Sequence, residues 1–164
     1  MTNPNTAPEY PRDQNGLLFY CGASSRDPNC QAQVSGDGTW ETVHSLGGNY
    51  ESIVLRGGQS TAITFNTPVK PHGDRFCIVL NFRKGPLDAL RRDVSSFKTD
   101  FKMDNSFSPP IELNLKTTSF TRYNLDIPWD MQTKLGFTFS VPRGAGKHNL
   151  AIRTIAAYDG SCSS

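Results

Sequence analysis

From Lys134 to Asp159 the chain alternates. Leu135, Phe137, Phe139 and Val141 fall on one parity and Gly136, Thr138 and Ser140 on the other, the period of a strand with one buried face. Pro142-Arg143-Gly144-Ala145-Gly146 interrupts with turn-forming residues. Beyond it Leu150, Ile152, Thr154 and Ala156 share a face opposed to Asn149, Arg153 and Ala157. The stretch predicts a β-hairpin. A hairpin buries its apolar stripe only against a second layer, so a two-layer β structure follows.

The same reading extends upstream. Leu17 to Cys21 reads as a short strand, Gly22 to Gly38 as a long loop, and Trp40 to Leu46 as a strand. Glu51 to Leu55 and Ser60 to Phe65 predict a second hairpin, closed by Arg56-Gly57-Gly58-Gln59. Arg75 to Phe82 is almost continuously apolar, as expected of a central strand covered on both faces. Its cover is expected from a short helix near residues 86–94. Pro86 suits the first turn, Asp88 the positive end and Arg91 and Arg92 the negative end, with Leu87, Leu90 and Val94 as the inner stripe.

Phe97, Thr99, Phe101 and Met103, then Ile111, Leu113 and Leu115, alternate with polar residues. Phe120 to Ile127 adds a strand, and Pro128-Trp129-Asp130 a loop. Residues 1–15, rich in Pro, Asn and Thr without a period, read as an extended arm, leaving 16–164 as one domain. About nine or ten short strands with one short helix predict an all-β, jelly-roll-like β-sandwich, with a closed eight-stranded barrel as the alternative.

Composition narrows the function classes. With 17 Lys+Arg against 15 Asp+Glu, the net charge of +2 gives no electrostatic case for nucleic acid or an anionic membrane. No apolar run approaches the roughly 18 to 20 residues of a membrane-crossing helix, and membrane insertion is not expected. Met1-Thr2-Asn3-Pro4 lacks the basic start and apolar core of a secretory signal. That leaves an intracellular protein, or a mature terminus with Met1 added. The four cysteines favour the second. Cys21 and Cys30 bracket a polar stretch suited to a closed loop, and Cys77 with Cys162 would pin the C-terminal tail. Such pairs belong to an oxidising, extracellular compartment.

Motifs for catalysis are weak. Gly144-Ala145-Gly146-Lys147 lacks the spacing and helix of a phosphate loop. His72, Asp74 and Glu112 are the acid-base candidates for a small polysaccharide hydrolase or lyase, provided that one cleft gathers them. His148 shares the parity of Leu150 and is expected to cap the core edge. No cofactor is expected, although Asp100, Asp104, Asn105, Asp126 and Asp130 offer the oxygens of a structural calcium site.

Aromatic residues at loop edges carry the functional expectation. Trp129, stiffened by Pro128, is placed to stack on a sugar ring while Asp126, Asp130 and Tyr123 bond its hydroxyls, with Trp40 and Tyr50 near it or on a second surface. The closing stretch Gly146 to Gly160, with its strand Lys147-His148-Asn149-Leu150-Ala151-Ile152-Arg153, resembles the last strands of jelly-roll carbohydrate-binding modules. The likeness covers this stretch alone, and no binding residue is carried over from it. The chain is therefore expected to be a secreted, lectin-like module with a glycan or polysaccharide partner and no catalytic role. A structural or protein-recognition domain of a virion, adhesin or effector is the alternative.

Overall fold

The computed structural model describes residues 16–103, 106–113 and 117–163. The expected N-terminal arm, Asp104, Asn105 and Leu115 lie outside them. In chain order the strands are β1 (Leu17–Gly22), β2 (Ala32–Gly36), β3 (Glu41–Val43), β4 (Tyr50–Leu55), β5 (Ser60–Phe65) and β6 (Phe76–Pro86). β7 (Ser96–Met103), β8 (Ser106–Phe107), β9 (Ile111–Glu112), β10 (Thr117–Ile127), β11 (Lys134–Ser140) and β12 (His148–Asp159) follow. They form a β-sandwich of two antiparallel sheets. The first has the order β10-β6-β12-β4-β3, with β1 also on β12; the second has β2-β5-β11-β7-β8, with β9 also on β7. The inner faces meet through ring pairs that cross the core, Phe19 with Phe65 at 5.1 Å, Phe82 with Phe97 at 5.2 Å and Phe76 with Phe101 at 5.6 Å.

Both expected hairpins are arches instead. β11 lies in the second sheet and β12 in the first, while β4 lies in the first and β5 in the second. A hairpin and an arch each need two alternating strands and a turn, so alternation alone does not separate them. The arches support each other: Gly58 N–H donates to Val141 O at 2.8 Å, and Val141 N–H to Gln59 O at 3.0 Å. A side chain at Gly57 would begin 2.9 Å from the Pro142 carbonyl, which explains the glycine.

β6 is covered on both faces, as its apolar run predicts, but by other elements than expected. Ile78, Leu80 and Phe82 enter the main core. Val79 and Cys77 pack outward against Ala156, Tyr158 and the tail, which the Cys77–Cys162 disulfide holds at a Cα separation of 4.9 Å. Residues 86–94 do not form the expected helix. They make a loop whose only tight turn is Asp88 to Arg91, and Leu87, Leu90 and Val94 are exposed. A buried ion pair nine residues apart in sequence holds the far end of the loop.

Lys84, turned inward from β6, donates to Asp93 Oδ2 at 2.7 Å and to Ser95 O at 3.2 Å, with both charged side chains almost wholly buried. Asp93 also accepts from Ser95 N–H at 3.0 Å and Ser95 Oγ at 2.6 Å, so the end of the segment is fixed as a loop beside Lys84. Burial pushes the Asp93 carboxyl upward, but hydrogen bonds from Lys84 and Ser95 and the Lys84 charge outweigh it and hold it below the ordinary carboxylate range. His148 caps this corner, fully buried, and its Nε2 accepts from Val94 N–H at 3.4 Å.

Two further differences concern β2 and β12. The expected loop from Gly22 to Gly38 contains β2 and a turn of 3-10 helix, Pro28–Cys30, capped by Asp27. The expected strand from Trp40 to Leu46 shortens to β3. In β12, Ile152 pairs with Phe82 and Thr154 with Asn81, so Arg153 is the extra residue of a β-bulge. Parity flips there: Ile155 and Ala157 join Leu150 and Ile152 in the core, while Ala156 goes outward. The face expected for Thr154 and Ala156 is corrected accordingly, because one inserted residue exchanges the faces of everything beyond it.

Candidate functional site

The residues expected to bind ligand do not share one surface. On β10, Tyr123 turns inward, its ring 6.3 Å from Phe82, while Asp126 turns outward and accepts the Cys162 N–H at 2.7 Å. Trp129 follows on the core side, half-buried, with its ring centroid 6.1 Å from that of Phe101. Asp130 is exposed beside it. Neither are the acid-base candidates shown in contact. His72 Nδ1 lies 3.2 Å from Asp159, Asp74 pairs with Arg75, and Glu112 accepts from Ser96 Oγ. Among the described residues no three His, Cys, Asp or Glu side chains converge as a metal ion would require; Asp104 and Asn105 of the expected calcium set lie outside them.

A concave site opens elsewhere, at the bulge. β4 pairs with β12 as far as Ile152, and β1 takes over from Thr154, so the two strands share one edge of β12 with Arg153 at their junction. The junction opens into a cleft of about 300 Å³. Phe65, Ile152 and Ile155 are its buried lining, with the expected Cys21–Cys30 disulfide alongside them and Trp40 half-buried among them. The rim is polar. Glu51 Oε1 accepts from Ser24 N–H at 3.0 Å and from Thr42 Oγ1 at 2.8 Å, and Asn49 donates to Ser24 Oγ at 3.2 Å. These bonds fasten the disulfide loop to β4, so the rim is set before any ligand arrives.

Outside the cleft, the outer face of the first sheet has two halves. One is the apolar half sealed by Tyr158 and the tail. The other is polar. Arg83 lies over Tyr50 at 5.4 Å and over Phe120 at 4.9 Å, and Arg153 lies over Phe120 at 3.9 Å. Arg122 pairs across the strands with Asn81. The Nε atoms of Arg122 and Arg153, Asn81 Oδ1 and the Trp40 Nε1 are all buried with no hydrogen-bond partner among the described residues. A methyl at Gly47 would come 2.9 Å from Arg153 Nη2, so this glycine lets its loop lie against the guanidinium. None of Arg83, Arg122 and Arg153 was singled out by the sequence reading. The available signal was Asn81 and Arg83, two polar residues at the outward parity of an otherwise apolar strand.

The comparisons give two kinds of likeness. No family model matches the chain. A curated venom allergen 5 of Tityus serrulatus is 31% identical over 155 residues, 92% of this chain and 36% of the relative. A CRISP/Allergen/PR-1 protein of Trittame loki is 28% identical over 162 residues, 96% of this chain and 39% of the relative. The chain thus spans less than two-fifths of the length of these relatives. Among solved structures, a carbohydrate-binding module of Cellvibrio mixtus lichenase 5A, in complex with cellotriose, superposes with a TM-score of 0.55 at 14% identity, covering 88% of this chain and 98% of the module. The Clostridium thermocellum xylanase 10B modules, complexed with xylohexaose, give 0.61 at 8% identity over 90% of this chain and 29% of theirs. At these identities the likeness establishes the fold, and the chain has the β-sandwich architecture found in carbohydrate-binding modules.

Proposed function

We propose that this chain is a non-catalytic carbohydrate-binding module of an extracellular protein, and that its ligand lies in the cleft beside Trp40. The observation that carries the reading is the cleft itself: an apolar lining with one indole, and a rim of Ser24, Ser25 and Glu51 already fixed by hydrogen bonds. Saccharides present an apolar ring face and a hydroxyl edge, and this division of surface suits both. The sandwich neighbours solved with cellotriose and xylohexaose support the ligand class. Two disulfides and a relative named as a venom protein support the compartment. Trp129, with Asp130 exposed beside it, is a second stacking ring in this reading.

The test is a glycan array followed by titration of Trp40→Ala. Stacking on one ring contributes about 1 to 3 kcal/mol on the scale for base-aromatic stacking, so affinity should fall about 5- to 150-fold. An array blank for the wild-type chain would defeat the reading. A protein-recognition role would then lead, favoured by the exposure of Leu87, Leu90 and Val94 on one loop of a chain whose relatives are far longer.

A further inference from the structure

We propose that the polar half of the first sheet's outer face is an anion-binding platform, and that the saccharide bound by this protein is an acidic one, carrying carboxylate or sulfate. The inference rests on the carbohydrate reading and adds the ligand's charge to it. Arg83, Arg122 and Arg153 stand on three neighbouring strands, β6, β10 and β12. Two of their guanidiniums share the ring of Phe120. Among the described residues none of the three is within salt-bridge distance of a carboxylate, whereas Lys84, Arg75 and Arg91 each have one. Like charges gathered without a counter-charge repel, and a bound anion removes that repulsion.

The geometry of each guanidinium points the same way. Carboxylate and sulfate engage arginine through paired N–H donors, commonly along the Nε–Nη edge. In Arg122 and Arg153 the Nε–H is shielded from water with no acceptor, an arrangement that costs free energy until the guanidinium turns that edge onto one. The guanidiniums of Arg83 and Arg153 lie over aromatic rings, contacts that restrict them and reduce the ordering lost on binding. Arg153 also joins this platform to the cleft, since it is the bulged residue at the junction and lines the cleft as well. A ligand occupying the cleft therefore lies against Arg153, whose guanidinium shares the Phe120 ring with that of Arg83.

A saccharide suits the patch better than a nucleic acid. The arginines occupy three adjacent strands, while the whole chain carries only +2, so a run of phosphates would find no continuing basic track.

The experiment is calorimetric titration of the 164-residue chain with four probes: a galacturonic acid hexamer, a heparin-derived hexasaccharide, cellohexaose and a thymidine hexanucleotide. At least one acidic saccharide should bind, weaken as salt rises, and lose about 10-fold or more in affinity with Arg83→Gln and Arg153→Gln. Binding of the galacturonic acid hexamer shows that carboxylate suffices, whereas binding of the heparin hexasaccharide alone, which carries carboxylates as well, shows that sulfate is required. Circular dichroism checks folding, and if Arg153→Gln fails to fold, Arg83→Lys decides: it keeps the charge, removes the planar fork and should still weaken binding. Cellohexaose binding that is indifferent to salt and to the arginine variants would overturn the acidic ligand while leaving carbohydrate binding intact. Hexanucleotide binding as tight as that of the acidic sugars would make this a general phosphate site and overturn it too. If no saccharide binds, both readings fall together.

Discussion

Arg83 and Lys84 are neighbours on β6 and face opposite sides of one sheet, and the fold treats the two cations differently. Lys84 goes inward, where Asp93 and Ser95 enclose its ammonium at 2.7 to 3.3 Å. Arg83 goes outward to Tyr50, Phe120 and the Asn149 amide oxygen, with no carboxylate within salt-bridge distance among the described residues. A charge taken into a core has to be matched there, because an uncompensated buried ion costs several kcal/mol. A charge on an outer face is under no such demand. The inner cation accordingly holds a loop to the body of the sandwich, and the outer one stays at the surface over two rings.

Breaking the inner pair should have the largest effect. Asp93→Ala strands Lys84 in the core and should cost about 3 to 5 kcal/mol, read as a lower urea midpoint at unchanged slope. Replacing both partners with apolar residues should restore much of that loss. A cost below about 1 kcal/mol for Asp93→Ala would show that Lys84 escapes to water, and the contrast with Arg83 would vanish.

The sealed half of the outer face comes next. Cys162→Ser frees the tail that covers Val79 and Tyr158, and should cost about 2 to 5 kcal/mol by thermal unfolding under non-reducing conditions. If the variant melts like wild type, the tail is not the cover of β6. Trp129→Ala should cost less, about 2 kcal/mol, because its ring is only half-buried against Phe101. An unchanged midpoint would return Trp129 to the surface role that its sequence position suggests.

These contrasts also explain what the sequence shows and what it hides. Alternation in β7 and β11, the continuous apolar run of β6 and the Cys21–Cys30 pairing are local signals that can be read directly, and the Cys77–Cys162 pairing, 85 residues apart, follows as the pair that remains. The arches at residues 56–59 and 142–146 carry the same local pattern as hairpins, because the choice of sheet is made by the partners β7, β5 and β6, far away in sequence. The helix expected near 86–94 has good local signals, yet the segment is a loop with exposed Leu87, Leu90 and Val94, its far end held by the pair between Lys84 and Asp93. The site was the least legible part. It depends on the bulge at Arg153 and on the meeting of β1 and β4 along β12, neither of which leaves a compositional mark.

Acid should weaken the inner pair selectively. The Asp93 carboxyl titrates below its unfolded value near 4, so its contribution is fully present above that pH and is lost as pH falls through the lower, folded value. Between those values one proton adds a slope of at most about 1.4 kcal/mol per pH unit. Asp93→Asn should flatten the stability profile in that window. A profile identical to wild type would mean that other carboxylates carry the acid sensitivity.

The smallest effect on stability is expected from Arg83→Gln, and that smallness is the sharpest test of the contrast. The substitution removes a guanidinium that lies over two rings and donates one long hydrogen bond, 3.4 Å, to Asn149. Those contacts favour the folded state by about 0.5 to 1 kcal/mol as a cation over aromatic rings. Against them stands repulsion from Arg153 over the same ring, which glutamine relieves. The two terms are of similar size and opposite sign, so the urea midpoint should move by less than about 0.5 kcal/mol in either direction, the range of ordinary surface substitutions. A large loss would make Arg83 structural glue like its neighbour, and the outer face would no longer be a surface left open for binding.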